Sequence, residues 1–78
     1  PLVLVSNKKN PLTSLDQIAG KTTQEDTGTS NAQFITNWNQ KHSDNTATIQ
    51  FSGKDIGKRI LDLANCEFNY LVFDKVSV

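Results

Sequence analysis

The spacing of apolar and polar positions changes several times along the 78 residues, and each change marks an element. Leu2–Val5 is an unbroken apolar run, the pattern of a strand buried on both faces. The polar stretch Ser6–Pro11 contains a proline and reads as a loop. Ser14 with Gln17 makes a capping box for a short helix over Leu15–Ala19, which Gly20 ends. Lys21–Glu25 predicts a strand through the β-propensity of its threonines alone. It is unusually polar, and a central place in a sheet would leave that polarity to be explained. Ser30 with Gln33 makes a second capping box, and Phe34, Ile35 and Trp38 form the apolar stripe of a helix from Asn31 to about Gln40. Lys41–Thr46 is a loop by composition. Ala47, Ile49 and Phe51 alternate with Thr48 and Gln50, which predicts a half-buried strand at a sheet edge. Ser52 with Asp55 makes a third capping box. Ile56, Ile60, Leu63 and Ala64 then share one helical face, with Lys54, Lys58, Arg59 and Asp62 mostly off it. Phe68–Phe73 is the most apolar strand, and it ends at Asp74.

Strands alternating with helices predict an α/β fold with a mainly parallel sheet flanked by helices. Ligands of such sheets bind beyond the carboxyl ends of the strands. Two features fall there: the turn Gly28, Thr29, Ser30 and the carboxylate of Asp74. Free N–H groups at the start of a helix, with the helix dipole and two hydroxyls, form a seat for a carboxylate or phosphate. Right-handed crossovers and a 2-1-3 strand order set that seat beside Asp74. An anion seat next to a carboxylate complements the two charges of a free amino acid.

Composition narrows the classes. The length allows one domain with a modest core. Eight basic and eight acidic residues balance, so nothing points to nucleic acid. No apolar run is long enough to cross a membrane. Cys66 is a lone cysteine, so no disulfide forms within the chain, and one His with one Cys makes no structural zinc site. No cofactor is expected. The chain begins at Pro1 without an initiator Met or a leader, and reads as cut from something longer.

Each candidate has a plainer use. Thr29 and Ser30 serve equally as helix caps, the commoner use; the two roles combine if Ser30 caps and Thr29 faces a ligand. Asp74 serves equally as a strand-end turn residue. Glu25 and Asp26 are near enough to the turn to touch a ligand, although a solvated loop is the ordinary expectation. His42 reads as exposed, Trp38 as core, and Cys66 as a small packing residue with no Lys or Arg beside it.

Three blocks in order resemble the second lobe of the extracellular amino-acid-binding proteins of ABC importers. They are Ser14-Leu15-Asp16-Gln17-Ile18-Ala19-Gly20-Lys21, then Gly28-Thr29-Ser30, then the run from Ile60 through Asn65-Cys66-Glu67-Phe68-Asn69 to Asp74. The resemblance implies one lobe of a type II periplasmic-binding-protein-like fold, residues 1–78 forming a single incomplete domain. Lobe 1 is absent, and so are the elements that would complete lobe 2. It further implies that Thr29 and its neighbours bind the ligand's α-carboxylate and that Asp74 binds its α-amino group. Leu2–Ser6 looks like the hinge crossover, antiparallel beside the Asp74 strand. The sequence departs from the family at Cys66, where Gly is usual; Asn65 is the residue expected to take the positive φ instead. Asn69 replaces an Asp, and the strand before the turn is polar rather than apolar.

The implied function is the solute-binding component of an importer, binding a polar amino acid between two lobes and working with a membrane permease. The implied location is extracytoplasmic, in a periplasm or as a cell-surface lipoprotein of a Gram-positive bacterium, with a signal peptide in the parent. An uncovered Leu2–Ser6 edge predicts self-association of the fragment. The rival readings are a ligand-sensing domain of a transcription regulator with a similar fold, and a small nucleotide or phosphate enzyme. The enzyme reading lacks a Walker or dinucleotide fingerprint, so no catalytic residue is assigned.

Overall fold

The computed structural model describes residues 2–74, with side chains described for 3–73. Four strands form one sheet: β1 (Leu2–Ser6), β2 (Thr22–Glu25), β3 (Thr48–Phe51) and β4 (Tyr70–Asp74). Their order is β1-β4-β2-β3. β2 runs parallel to both β3 and β4, while β1 runs antiparallel to β4. Counting the strand before the Gly28 turn as first, the Ala47–Phe51 strand as second and the Asp74 strand as third, the expected 2-1-3 arrangement is therefore present: β2 lies between β3 and β4, with β3 at one edge and β1, antiparallel, at the other. Two helices, α1 (Ser30–Lys41) and α2 (Ile56–Ala64), and a short 3-10 helix (Leu15–Ile18) connect the strands.

The sheet separates two clusters. Tyr70 and Val72 point to one face and pack with Ile18, Ile35, Trp38 and Ala47. Leu71 points to the other and packs with Leu63 and Phe68. This is the alternation a strand imposes, and it makes β4 the two-sided apolar strand of its pattern. Asn39 ties the end of α1 to the start of β3. Its amide donates to Ala47 O at 2.9 Å and its carbonyl accepts from Ala47 N at 2.8 Å. Asn7 closes the other helix by donating to Leu63 O and Ala64 O.

The 3-10 helix has its expected capping box between Ser14 and Gln17, in which Gln17 Oε1 accepts from Ser14 N and also from Thr13 N. Gly20 ends that segment at φ 73°, a conformation that favours glycine. The other two boxes shift by residue. Thr29, not Ser30, caps α1, its hydroxyl accepting from Ala32 N at 3.2 Å. Asp55, not Ser52, caps α2, accepting from Lys58 N at 2.8 Å. After α2, the positive φ falls on Cys66 (62°) while Asn65 stays at φ −88°. Cys66 is also exposed rather than packed.

The two largest departures from the sequence pattern concern polarity. β2 is central and its residues Thr23, Gln24 and Glu25 are buried. Helix α2 turns Arg59, Asp62 and Leu63 inward and leaves Ile56, Ile60 and Leu61 about half exposed. Arg59 and Asp62 were expected off the buried face, and the structure reverses that. Phe51, expected half-buried, is 56 % exposed at the end of the edge strand.

Candidate functional site

β2 and β4 are neighbours, with Thr23 opposite Tyr70. Equal steps along these parallel strands lead to Thr27 on one and Asp74 on the other. The turn Gly28–Ser30 and the end of β4 thus share the carboxyl edge of the sheet. The backbone of Asp74 closes β4 opposite Leu2, and its side chain lies outside the described residues.

Gly28 has φ 82°, and this sharp reversal starts α1 immediately beyond the strand. Gly28 and Ser30 are exposed, Thr29 partly so. The Thr29 hydroxyl is fully committed: it donates to Asp26 O at 2.8 Å and accepts from Ala32 N. The N–H groups of Ser30 and Asn31 have no hydrogen-bond acceptor among the described residues, as expected for a first helical turn. These donors and the Ser30 hydroxyl are what the turn offers an anion. An open depression of ≈ 460 Å³ lies against the turn, walled by Ala32, Gln33 and Thr36 of α1 and by Phe51 of β3.

Glu25 and Asp26 do not form a solvated loop. Glu25 ends β2 at 3 % exposure, and Thr23 Oγ1 lies 3.4 Å from its Oε1. Burial pushes the Glu25 carboxyl above its ordinary value, against the opposing pull of the Arg59 charge, the Thr23 hydroxyl and the Val72 backbone. Tyr70 lies on the same face, and burial first, then the Glu25 charge, pushes its hydroxyl up strongly. Asp26 is half exposed and paired with Arg59 Nη2, which also donates to Ser52 O at 3.2 Å. Gln24 points the other way, its amide 3.3 Å from Gln50 Oε1 across the β2–β3 pair. The polarity of the central strand is therefore met in part within the protein, hydroxyl to carboxylate and amide to amide, with the Arg59 charge from α2 acting on Glu25. Gln24 Oε1 and Tyr70 Oη have no hydrogen-bond partner among the described residues.

Asp62 is held by Lys54 at 2.8 Å and Lys58 at 3.1 Å. Those two hydrogen bonds hold its carboxyl below the ordinary value. Asn69 fixes the lower end of the strand pair, its Oδ1 accepting from Thr22 N at 2.7 Å and its N–H donating to Thr22 O at 2.8 Å. His42 is exposed as expected but stacks on the buried Trp38, ring centroids 3.8 Å apart. Sequence reasoning missed Arg59 altogether. The signal available was a Glu-Asp pair ending a strand that precedes a helix start, since buried carboxylates need a cation.

Among the described residues, no cluster of His, Cys, Asp or Glu has a metal-binding arrangement, and no helix is long and apolar enough to cross a membrane.

No family model matches the chain. No curated protein matches it either. A solved structure does, described as the molecular and structural basis of glutathione import in Gram-positive bacteria via GshT and the cystine ABC importer TcyBC of Streptococcus mutans. The TM-score is 0.88 at 28 % sequence identity, over 96 % of this chain and 31 % of the other. The chain therefore spans about a third of the length of that relative, GshT, a substrate-binding protein and not an enzyme. Over nearly its whole length the chain is similar to part of a substrate-binding protein of an ABC importer, as the three sequence blocks implied.

Proposed function

We propose that this chain supplies part of one lobe of an extracytoplasmic substrate-binding protein, residues 1–78 being an incomplete domain of it. The whole protein takes an α-amino-acid head group between two lobes and hands the solute to a membrane permease. The observation that carries the reading is the shared carboxyl edge: free helix-start N–H groups after β2 and the Asp74 position ending the adjacent parallel β4. Gly28, Thr29 and Ser30 receive the ligand carboxylate, chiefly through backbone N–H groups and the Ser30 hydroxyl. Thr29 contributes by capping and by shaping the turn. Asp74 receives the ammonium. Glutathione, imported via the relative, and cystine, named for the importer TcyBC, both carry this head group, which favours a sulfur-containing amino acid or a γ-glutamyl peptide as ligand.

The test is calorimetry on the whole protein with the standard L-amino acids, L-cystine and glutathione. Asp74→Ala should cost about 2–5 kcal/mol of binding, the scale for removing one partner of a buried charge pair. Asp44→Ala, an exposed charge in the loop after α1, should bind like the parent. Asp62 is unsuitable as a control because its carboxylate is buried under two lysines. Equal binding by the Asp74 and Asp44 variants would remove the assignment of the amino-group site.

A further inference from the structure

Arg59 is 6 % exposed, yet no residue of α2 is nearer the candidate site in its contacts. It reaches from α2 over the carboxyl ends of β2 and β3, with Nη2 on the Asp26 carboxylate and on Ser52 O. Asp26 is in turn part of the turn itself: its carbonyl accepts from the Thr29 hydroxyl at 2.8 Å and from Thr29 N at 3.4 Å. Thr29 then caps α1 through Ala32. One line of contacts therefore joins α2 to the first turn of α1 through Arg59, Asp26 and Thr29.

Charge makes that line more than a brace. Glu25 and Asp26 are two consecutive carboxyl groups immediately before a turn whose free donors suit an anion. Unpaired, Asp26 would repel a ligand carboxylate seated there, since like charges in a partly desolvated site interact over several ångströms. Among the described residues, Arg59 is the cation paired with Asp26, and its charge also bears on Glu25. We propose that Arg59 is a positioning residue for ligand binding. It holds the Asp26 carboxylate neutralised and turned from the seat, and through Asp26 it fixes the geometry of the Gly28–Ser30 turn. This rests on the reading of that turn as a carboxylate seat.

The experiment has one arm that needs no ligand. In the ligand-free whole protein, Arg59→Met should speed amide exchange at Thr29, Ala32 and Gln33, the hydrogen-bonded amides of the turn and its cap, by about tenfold while the amides of Leu71 and Val72 in β4 keep their protection, because local opening is separable from global unfolding. Turn amides that exchange as in the parent, or a loss shared equally with β4, would overturn the positioning role. The second arm is calorimetry with the standard L-amino acids, L-cystine and glutathione. Arg59→Met should weaken binding by about tenfold or more, a loss of about 1.4 kcal/mol. Arg59→Met combined with Asp26→Asn should recover most of that loss, since the repelling charge is gone. A double variant as weak as Arg59→Met would overturn the charge-pairing role. Arg59→Lys, which keeps the charge and loses the fork, should fall between parent and Arg59→Met, and it carries both arms if the methionine variant folds poorly. If the parent binds none of these solutes, the functional reading fails, and the exchange arm alone decides on Arg59.

Discussion

Helices α1 and α2 lie on the two faces of one sheet and obey opposite rules. α1 buries the residues its apolar stripe marks, Ala32, Ile35 and Trp38. α2 has the more pronounced stripe, yet it leaves Ile56, Ile60 and Leu61 about half exposed and turns Arg59 and Asp62 inward. The difference is in what anchors each helix. α1 is held by side-chain volume in the cluster of Ile18, Ile35, Trp38, Tyr70 and Val72. α2 touches its cluster chiefly through Leu63 and is otherwise held by polar contacts: Arg59 to Asp26 and Ser52 O, and Asn7 to Leu63 O and Ala64 O, while Lys54 and Lys58 pair with Asp62 locally. A hydrophobic stripe shows which side of a helix can be covered. The neighbouring elements decide which side is covered.

The contrast is sharpest in core truncation. Ile35→Ala should cost about 2–5 kcal/mol in denaturant unfolding, through lost burial and the cavity left under α1. Ile60→Ala should stay within about 0.5 kcal/mol, as for an exposed position. Comparable losses at the two positions would show that α2 packs its stripe after all.

Caps come next. Thr29→Ala removes the α1 cap and its bond to Asp26 O, and should cost about 1 kcal/mol of stability. Its effect on ligand binding should be smaller than that of Asp74→Ala, because the backbone donors remain. A Thr29→Ser variant that restores stability would assign the loss to the hydroxyl.

At the far end of α2, Cys66→Gly should stabilise by up to about 1 kcal/mol, since a side chain at φ 62° carries a left-handed penalty that glycine lacks. An unchanged melting midpoint would mean that the turn relaxes around Cys66 at no cost.

The smallest effect is in the pH profile, and it belongs to the charge-bearing region. Asp62 has a lowered folded value, so its contribution is present above 3.8 and is lost as pH falls through that lowered value. Glu25 has a raised folded value, so its contribution is present below 4.5 and is lost as pH rises from there through the raised value. Asp62→Asn should therefore flatten the acid limb of stability against pH. Glu25→Gln should flatten the limb above it and stabilise at neutral pH. An Ile35→Ala profile should run parallel to the parent at every pH, because no titrating group is involved.

Much of this fold was legible because its signals are local. Apolar runs, cap residues and the glycines at 20 and 28 act within a few residues of themselves, so strand and helix positions and the 2-1-3 order follow from the chain alone. The place of the turn at the carboxyl edge follows too, since a parallel sheet puts every strand-to-helix turn on that side. The choice between Ser30 and Thr29 as cap was not legible. It depends on where the strand stops and on a bond to Asp26 O that only the folded turn creates. Nor was the polarity of β2 legible as a buried property. Thr23, Gln24 and Glu25 become tolerable at the centre of the sheet because Gln50 arrives from β3 and Arg59 from α2, residues far along the chain. The place of a charged group is settled by its partners: Asp26 pairs with Arg59, which tertiary structure alone brings there and whose charge also bears on the buried Glu25.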